Sequence, residues 1–126
     1  ETDPVLPHTK YSWSKLGGEC AVKLFENSLI LRICMNTKPF PHKKALVDMT
    51  KSLIFDDEAA KITLKLLHES GVINVGGKSR SVYDFVKETN PDIEPMTLSE
   101  VSDVSMPKSS TLNIDKLKRI IDDSTV

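Results

Sequence analysis

The chain has 126 residues, of which 39% are hydrophobic and 28% are charged, with a formal net charge of −1. This length suits one modest core, not two domains of ordinary size, and there is no excess of positive charge for a nucleic-acid surface. No run approaches the roughly 20 apolar residues that span a bilayer, and the first residues are unlike a secretory signal, so the sequence predicts a cytoplasmic protein without nucleic-acid or membrane partners.

Residues 1–10 carry two prolines and are predicted to be an irregular segment that leads into the first helix. From residue 11 to residue 27 apolar side chains recur at intervals of three and four, which is the helical period. Gly17 and Gly18 weaken such a helix. We therefore expect another backbone or a cofactor to approach the helix closely at these glycines.

Tyr11 and Lys15 are the pair in this helix with a recognisable chemical use. Residues four apart share a helix face, so the phenol and the ammonium should point the same way. A fixed positive charge beside a phenol favours the phenolate, which suits the group for proton transfer near neutral pH. The spacing is weak evidence because Tyr83 and Lys87 repeat it. The second pair lacks the Ser-Lys and Gly-Glu neighbours of the first pair and is interpreted as a surface pair.

Residues 29–35 form an apolar run broken only by Arg32, which predicts a central strand of an α/β layer, covered on both faces. An arginine in such a strand requires an acidic partner or a polar ligand, and a paired core arginine is the favoured interpretation. Residues 36–44 contain two prolines and three lysines and are predicted to be a loop. A solvated charged loop is the simpler interpretation of this segment.

Asp56 is predicted to be the N-cap of a helix that continues to about Glu69 and stops at Gly71. A catalytic pair of Asp56 and Asp57 is the alternative, but adjacent residues on a helix do not face each other, so capping is favoured. The later elements are predicted as a strand over 72–75, a Ser81-capped helix over 82–88, an edge strand at 93–98 with Pro95, a loop over 99–111 and an Asn113-capped helix over 114–121.

The segment Gly76-Gly77-Lys78-Ser79 superficially resembles a phosphate-binding loop. The full pattern requires a glycine at position 72, where the chain has Val72, so binding of a nucleoside triphosphate there is not predicted. Cys20 and Cys34 lie inside apolar patterns without CxxC spacing, and we expect reduced, buried thiols. The three histidines are scattered, and no cluster has metal-ligand spacing, so no metal site is predicted.

The string Glu1-x-Asp3-Pro4-x-x-Pro7-x-x-x-Tyr11-x-x-Ser14-Lys15-x-x-Gly18-Glu19 resembles the active-site helix of extended short-chain dehydrogenases/reductases. It is most similar to the dTDP-4-dehydrorhamnose reductase branch, whose members act on nucleotide-linked deoxysugars. The resemblance continues over nearly the whole chain, through residues 28–32, 48–60, 71–77, 81–85 and 106–117.

This resemblance implies an α/β fold that is the C-terminal half of a Rossmann-type extended short-chain dehydrogenase/reductase. Residues 1–36 would be the end of a nucleotide-binding domain, with the active-site helix and the strand after it, and residues 37–126 a small α/β substrate-binding part. A dinucleotide enzyme needs a glycine-rich turn that holds the pyrophosphate. In the resembled family that turn lies upstream of the Tyr helix, so it is expected before Glu1.

The resemblance also implies an activity, the reduction of a 4-keto group on a nucleotide sugar by a reduced nicotinamide. Tyr11 would deliver a proton to the forming alkoxide, and Lys15 would assist the phenol and bind the nicotinamide ribose. The full enzyme would use NAD(P), whereas no cofactor is expected to bind these 126 residues by themselves. The helix often contributes to a dimer interface in this superfamily, so a homodimer is plausible. The resemblance makes four residues candidate phosphate or sugar contacts: Asn36, Lys38, Lys43 and Lys44.

Two other functions stay open from the sequence, and catalysis by this protein is therefore not decided. A nucleotide-sugar epimerase or dehydratase of the same superfamily shares the Tyr-x-x-x-Lys pair, but an epimerase shows no net consumption of NADPH. A non-catalytic relative would use the fold as a binding or regulatory subunit. Tyr11→Phe in the full chain distinguishes an enzyme from a non-catalytic relative, since loss of turnover indicates an enzyme and unchanged biological activity indicates a binding role.

Overall fold

The computed structural model describes residues 1–101 and 106–123, which form a mixed α/β fold with small, mainly parallel sheets. The described helices are α1 (Lys10–Val22), α2 (Asp56–Lys65), α3 (Val82–Lys87) and α4 (Asp115–Asp123). The described strands are β1 (Leu29–Ile33), β2 (Met35–Asn36), β3 (Lys44–Leu46), β4 (Thr50–Lys51), β5 (Ile54–Phe55), β6 (Gly71–Val75), β7 (Arg80–Ser81), β8 (Glu94–Met96) and β9 (Ser109–Ser110). None of these helices has both the length and the apolar character that crossing a membrane requires.

Helix α1 begins where the irregular segment ends, as predicted, because Thr9 caps it by accepting a hydrogen bond from the Ser12 amide at 3.0 Å. The helix stops at Val22, short of the predicted end at residue 27, and none of its residues is buried. A Cβ at Gly17 or Gly18 would meet no atom within 4 Å. The close approach expected at these glycines is therefore absent among the described residues.

Strands β1 and β6 pair in parallel over five residues, and Arg32 lies opposite Asn74 in this register. The predicted strand at 29–35 is interrupted after Ile33, and of its first five residues only Ile30 is buried. The prediction of a central strand covered on both faces is wrong, since β6 is the one described neighbour of β1. The two strands lie on opposite sides of the predicted domain boundary at 36/37, and that boundary stays a prediction.

Helix α2 begins at Asp56, with Phe55 in the N-cap position, so the predicted cap is displaced by one residue. Three acidic residues occupy the first helical turn, where they complement the helix dipole. The regular helix ends at Lys65, earlier than predicted, and Gly71 opens β6 with a φ of +82°. Helix α2 packs with α4 over β1 and β6 in one apolar cluster, built on buried Ile54, Ala59, Leu66, Ile73, Val75 and Leu117.

A second apolar cluster lies under α3, β3 and β8 and includes Phe85, Val86 and Ile93. Ser81 caps α3 as predicted, accepting a hydrogen bond from the Asp84 amide at 3.0 Å. Strand β8 pairs only with β3 among the described strands, which confirms the edge position predicted from Pro95. The predicted loop at 36–44 is shorter than expected because Lys44 already belongs to β3.

The remaining predictions concern the C-terminal segments and the cysteines. Part of the loop predicted over 99–111 lies outside the described residues, and Ser109–Ser110 within it form β9. Asn113 accepts a hydrogen bond from the Asp115 amide at 2.9 Å, but α4 begins at Asp115 with Ile114 in the N-cap position, so the predicted cap is displaced by one residue. Both cysteines are free, but Cys20 is exposed, so its predicted burial is wrong. Cys34 is half-buried, and burial raises the pKa of its thiol.

Candidate functional site

Tyr11 and Lys15 lie on one face of α1, at the mouth of a cleft of 460 Å³. The Lys15 Nζ is 5.4 Å from the centre of the Tyr11 ring, a cation–π distance. The Tyr11 side chain is 71% exposed, so both groups are reachable from solvent and from the cleft. The cleft is lined by Glu1, Asp3, Pro4, Val5, Tyr11, Ser12, Lys15, Leu16, Glu19, Arg32, Asn74, Thr111, Leu112 and Asn113.

Arg32 and Glu19 form an ion pair in the cleft wall, which also carries the charged residues Glu1, Asp3 and Lys15. The guanidinium donates two hydrogen bonds to the Glu19 carboxylate, from Nε at 2.8 Å and from Nη2 at 2.9 Å. These hydrogen bonds lower the pKa of Glu19 and raise that of Arg32, against the opposing effect of partial burial. The prediction that Arg32 has an acidic partner is confirmed, and the pair ties β1 to α1.

Asn74 is the cleft residue that sequence reasoning missed. It lies in β6 opposite Arg32 and is 7% exposed, and its Nδ2 donates a hydrogen bond to the Asn113 carbonyl at 3.1 Å. The backbone amide of Asn74 donates to the Glu1 carboxylate at 3.1 Å. Its Oδ1 is buried without a hydrogen-bond partner among the described residues. One polar residue inside an otherwise apolar strand was the available sequence signal.

The four residues predicted as phosphate or sugar contacts do not line this cleft; they are Asn36, Lys38, Lys43 and Lys44. Asn36 accepts a hydrogen bond from the next amide, and Lys38 is 3.8 Å from the Asp57 carboxylate. Lys43 and Lys44 are exposed beside a different, mainly apolar cavity of 600 Å³. The structure thus brings together Tyr11 and Lys15 but does not join the loop candidates to them, and their role in substrate binding stays a prediction.

The second Tyr-x-x-x-Lys pair has closer geometry than the first but a different setting. Lys87 Nζ donates a hydrogen bond to the Tyr83 hydroxyl at 3.0 Å, which raises the pKa of Lys87. Lys87 is exposed, and neither residue lines one of the described cavities. This agrees with a surface pair, and it makes Tyr83 a useful control for Tyr11.

Asp56 and Asp57 are positioned as structural groups at the start of α2. Asp56 Oδ1 accepts hydrogen bonds from the Lys38 and Asp57 amides, at 3.2 and 3.0 Å. Asp57 in turn accepts from the Glu58 amide at 2.9 Å. Within residues 1–101 and 106–123 no group of three or more His, Cys, Asp or Glu side chains is placed to hold a metal ion.

Comparisons with known proteins identify the class of fold. No family model matches the chain, and no curated protein does. A dTDP-4-dehydrorhamnose reductase from Bacillus anthracis, solved in complex with NADP, is 22% identical with a TM-score of 0.74 over 94% of this chain. A hypothetical dTDP-4-dehydrorhamnose reductase from Sulfolobus tokodaii is 27% identical with a TM-score of 0.77 over 95% of this chain.

The fold is therefore that of part of a Rossmann-type reductase. The particular proteins that it matches are dTDP-4-dehydrorhamnose reductases, which confirms the resemblance predicted from the sequence. In both comparisons the chain spans 51% of the length of the solved protein.

Proposed function

We propose that this chain is the substrate-binding portion of a nucleotide-sugar reductase that reduces a 4-keto-deoxysugar with a nicotinamide cofactor. The observation that carries the proposal is the convergence of Tyr11 and Lys15 on one face of α1, where both line a cleft with charged and apolar walls. The names of both structural neighbours, and the NADP bound in one of them, support the same substrate and cofactor classes.

In the proposed reaction, the nicotinamide supplies a hydride to the carbonyl carbon when it is bound. Tyr11 donates its phenolic proton to the alkoxide oxygen that forms at the same carbon, so the ketone becomes a secondary alcohol. Lys15, within cation–π distance of the ring, stabilises the phenolate that Tyr11 becomes. Arg32 contributes little free charge, because Glu19 already neutralises it.

The Gly76-Gly77 segment does not offer room for the pyrophosphate of the cofactor. A Cβ at Gly76 or Gly77 would lie 2.5 or 2.7 Å from the backbone oxygens of Ser52 or Leu53, so these glycines accommodate the chain's own backbone. We therefore expect no measurable NADPH binding by these 126 residues. Calorimetric titration tests this, and micromolar binding would contradict it.

The catalytic role is tested in the enzyme that carries this sequence together with a nucleotide-binding half. Tyr11→Phe should lower kcat by about 10²–10⁴-fold, the usual contribution of a positioned proton donor. The matched control is Tyr83→Phe, which removes the hydroxyl of the second pair and should leave turnover unchanged. Consumption of NADPH with a dTDP-4-keto sugar is the measurement, and full turnover by Tyr11→Phe would refute the proposal.

A further inference from the structure

Only one end of the Asn74 carboxamide has a hydrogen-bond partner among the described residues. Its Nδ2 donates to the Asn113 carbonyl at 3.1 Å, which fixes the orientation of the amide, because the opposite orientation would place two oxygens together. Its Oδ1 is buried and has no hydrogen-bond partner within the residues that the structure describes. A buried acceptor without a partner destabilises the fold, so the presence of this one in β6 calls for a hydrogen-bond donor.

The position of Asn74 indicates where that partner enters. Asn74 lines the same cleft as Tyr11 and Lys15, and it lies opposite Arg32 in the β1–β6 register. The neighbouring side chains of Lys15 and Arg32 are cationic and can only donate hydrogen bonds. The Glu19 carboxylate already accepts two hydrogen bonds from Arg32. Glu1 and Asp3 add two carboxylates to the same cleft, so Asn74 Oδ1 is one acceptor among several. It is uncharged and lacks a donor among the described residues, which suits it to an O–H group of an uncharged ring.

We propose that Asn74 is a specificity-determining residue whose Oδ1 accepts a hydrogen bond from one hydroxyl of the sugar ring. This inference rests on the proposed function, since it assigns a contact to the ligand of the same cleft. A pyranose hydroxyl both donates and accepts, so it can bond to Oδ1 while a cationic neighbour donates to it. A sugar without that hydroxyl leaves the acceptor unpaired and binds more weakly.

Two substitutions separate the acceptor from the rest of the side chain. Asn74→Leu removes both the Oδ1 acceptor and the donor to Asn113, whereas Asn74→Asp in its protonated form keeps an oxygen acceptor and an O–H donor to the Asn113 carbonyl. The comparison of both variants with the deoxy analogues therefore reports on the acceptor. Asn90→Leu is the control, because it makes the same change at a half-buried asparagine that does not line the cleft.

The experiment is a calorimetric titration of the 126-residue chain with dTDP-rhamnose and with analogues that each lack one ring hydroxyl. Asn74→Leu should weaken binding of dTDP-rhamnose by about tenfold, equivalent to one hydrogen bond, while Asn74→Asp should bind within about threefold of the unmodified chain. One deoxy analogue should bind the unmodified chain and Asn74→Leu equally, because the hydroxyl that Asn74 reads is missing.

The binding results test the role of Asn74 and the proposed function separately. If the unmodified chain binds dTDP-rhamnose and Asn74→Leu binds equally well, the inference is overturned and the proposed function stands. If the unmodified chain does not bind, the proposed substrate site is overturned with it. A loss that is the same for every analogue would mean a structural role and would also overturn the inference. Should Asn74→Leu fail to fold, the Asp variant and the analogue series still decide.

Discussion

At the scale of single residues, the ion pair of Glu19 with Arg32 is the best-defined electrostatic feature beside the cleft. Its geometry is bidentate, with N–O distances of 2.8 and 2.9 Å, and the two side chains are only 16% and 23% exposed. Partial burial weakens the solvent screening that limits what most surface ion pairs contribute to stability. The pair should therefore contribute measurably to stability by holding α1 against β1.

Glu19→Gln should lower the free energy of unfolding by about 1 kcal/mol near pH 7. The folded-state pKa of Glu19 lies below its ordinary value of 4.5, so the carboxylate stabilises the fold above that value. This stabilisation is lost as the pH falls through the folded-state pKa. Urea denaturation near pH 7 and at about pH 3 is the measurement.

The control for this prediction is Glu26→Gln, which changes an exposed glutamate and should have little effect at either pH. An equal loss of stability from Glu19→Gln at both pH values would contradict the assignment, because the net contribution of the ion pair must shrink as the pH falls below the ordinary pKa of 4.5.

Residue-scale predictions from the sequence succeeded where a local rule applied. The shared face of Tyr11 and Lys15 follows from helical spacing, and the acidic partner of Arg32 follows from the cost of a buried charge. The identity of that partner, Glu19, depends on how α1 packs on β1, which no local rule supplies. Asn74 was missed for the same reason, because pairing of β6 with β1 is what brings it into the cleft.

At the scale of elements, the two pairs of glycines have opposite structural roles. Gly76 and Gly77 follow β6 and lie directly against the backbone of Ser52 and Leu53, and the Gly77 amide donates a hydrogen bond to the Ser52 carbonyl at 2.9 Å. Gly17 has open space around it in α1. The sequence shows two similar glycine pairs, and only tertiary packing distinguishes them.

Gly76→Ala should destabilise the fold by about 1–3 kcal/mol, since its Cβ would lie 2.5 Å from the Ser52 backbone oxygen and force that segment to move. Gly17→Ala is the matched control and should instead stabilise α1 by up to about 1 kcal/mol, because alanine is the better helix former. Thermal unfolding of both variants is the measurement. An unchanged unfolding temperature for Gly76→Ala would contradict the tight contact of Gly76 with the Ser52 backbone.

Element boundaries were predictable only where a cap or a turn residue marks them. Ser81 and Pro95 have the structural role expected from the sequence, whereas Asn113 lies one residue before the N-cap of α4. The extent of α1 was overestimated because the apolar period continues past Val22, although the chain turns there. Periodicity predicts that a segment is amphipathic, but it does not fix where the helix stops.

At the scale of the whole molecule, α1 and the turn after it carry a large uncovered apolar surface. Trp13 is 61% exposed, Leu24 is 83% exposed and Phe25 is 72% exposed. Apolar surface of this kind is typical of a surface that contacts another protein surface. The structural neighbours are about twice the length of this chain, and such a surface can be covered in the longer protein or by a second copy.

We expect the isolated 126-residue chain to self-associate through this surface. Trp13→Glu should shift it toward the monomer, because a buried charge without a partner opposes association. Leu64→Glu is the control, since Leu64 is 68% exposed on α2, away from α1. Light scattering over a range of protein concentrations gives the mass, and a monomer at every concentration would contradict the expectation.

The proposed binding site of the nucleotide sugar is the cleft at α1 and the β1–β6 pair. Its most direct test is an NMR titration of the 126-residue chain with dTDP-rhamnose, following each backbone amide. We expect the shifts to cluster at Tyr11, Lys15, Asn74 and Asn113. Shifts confined to the surface around Lys43, or no shifts at all, would contradict the claim.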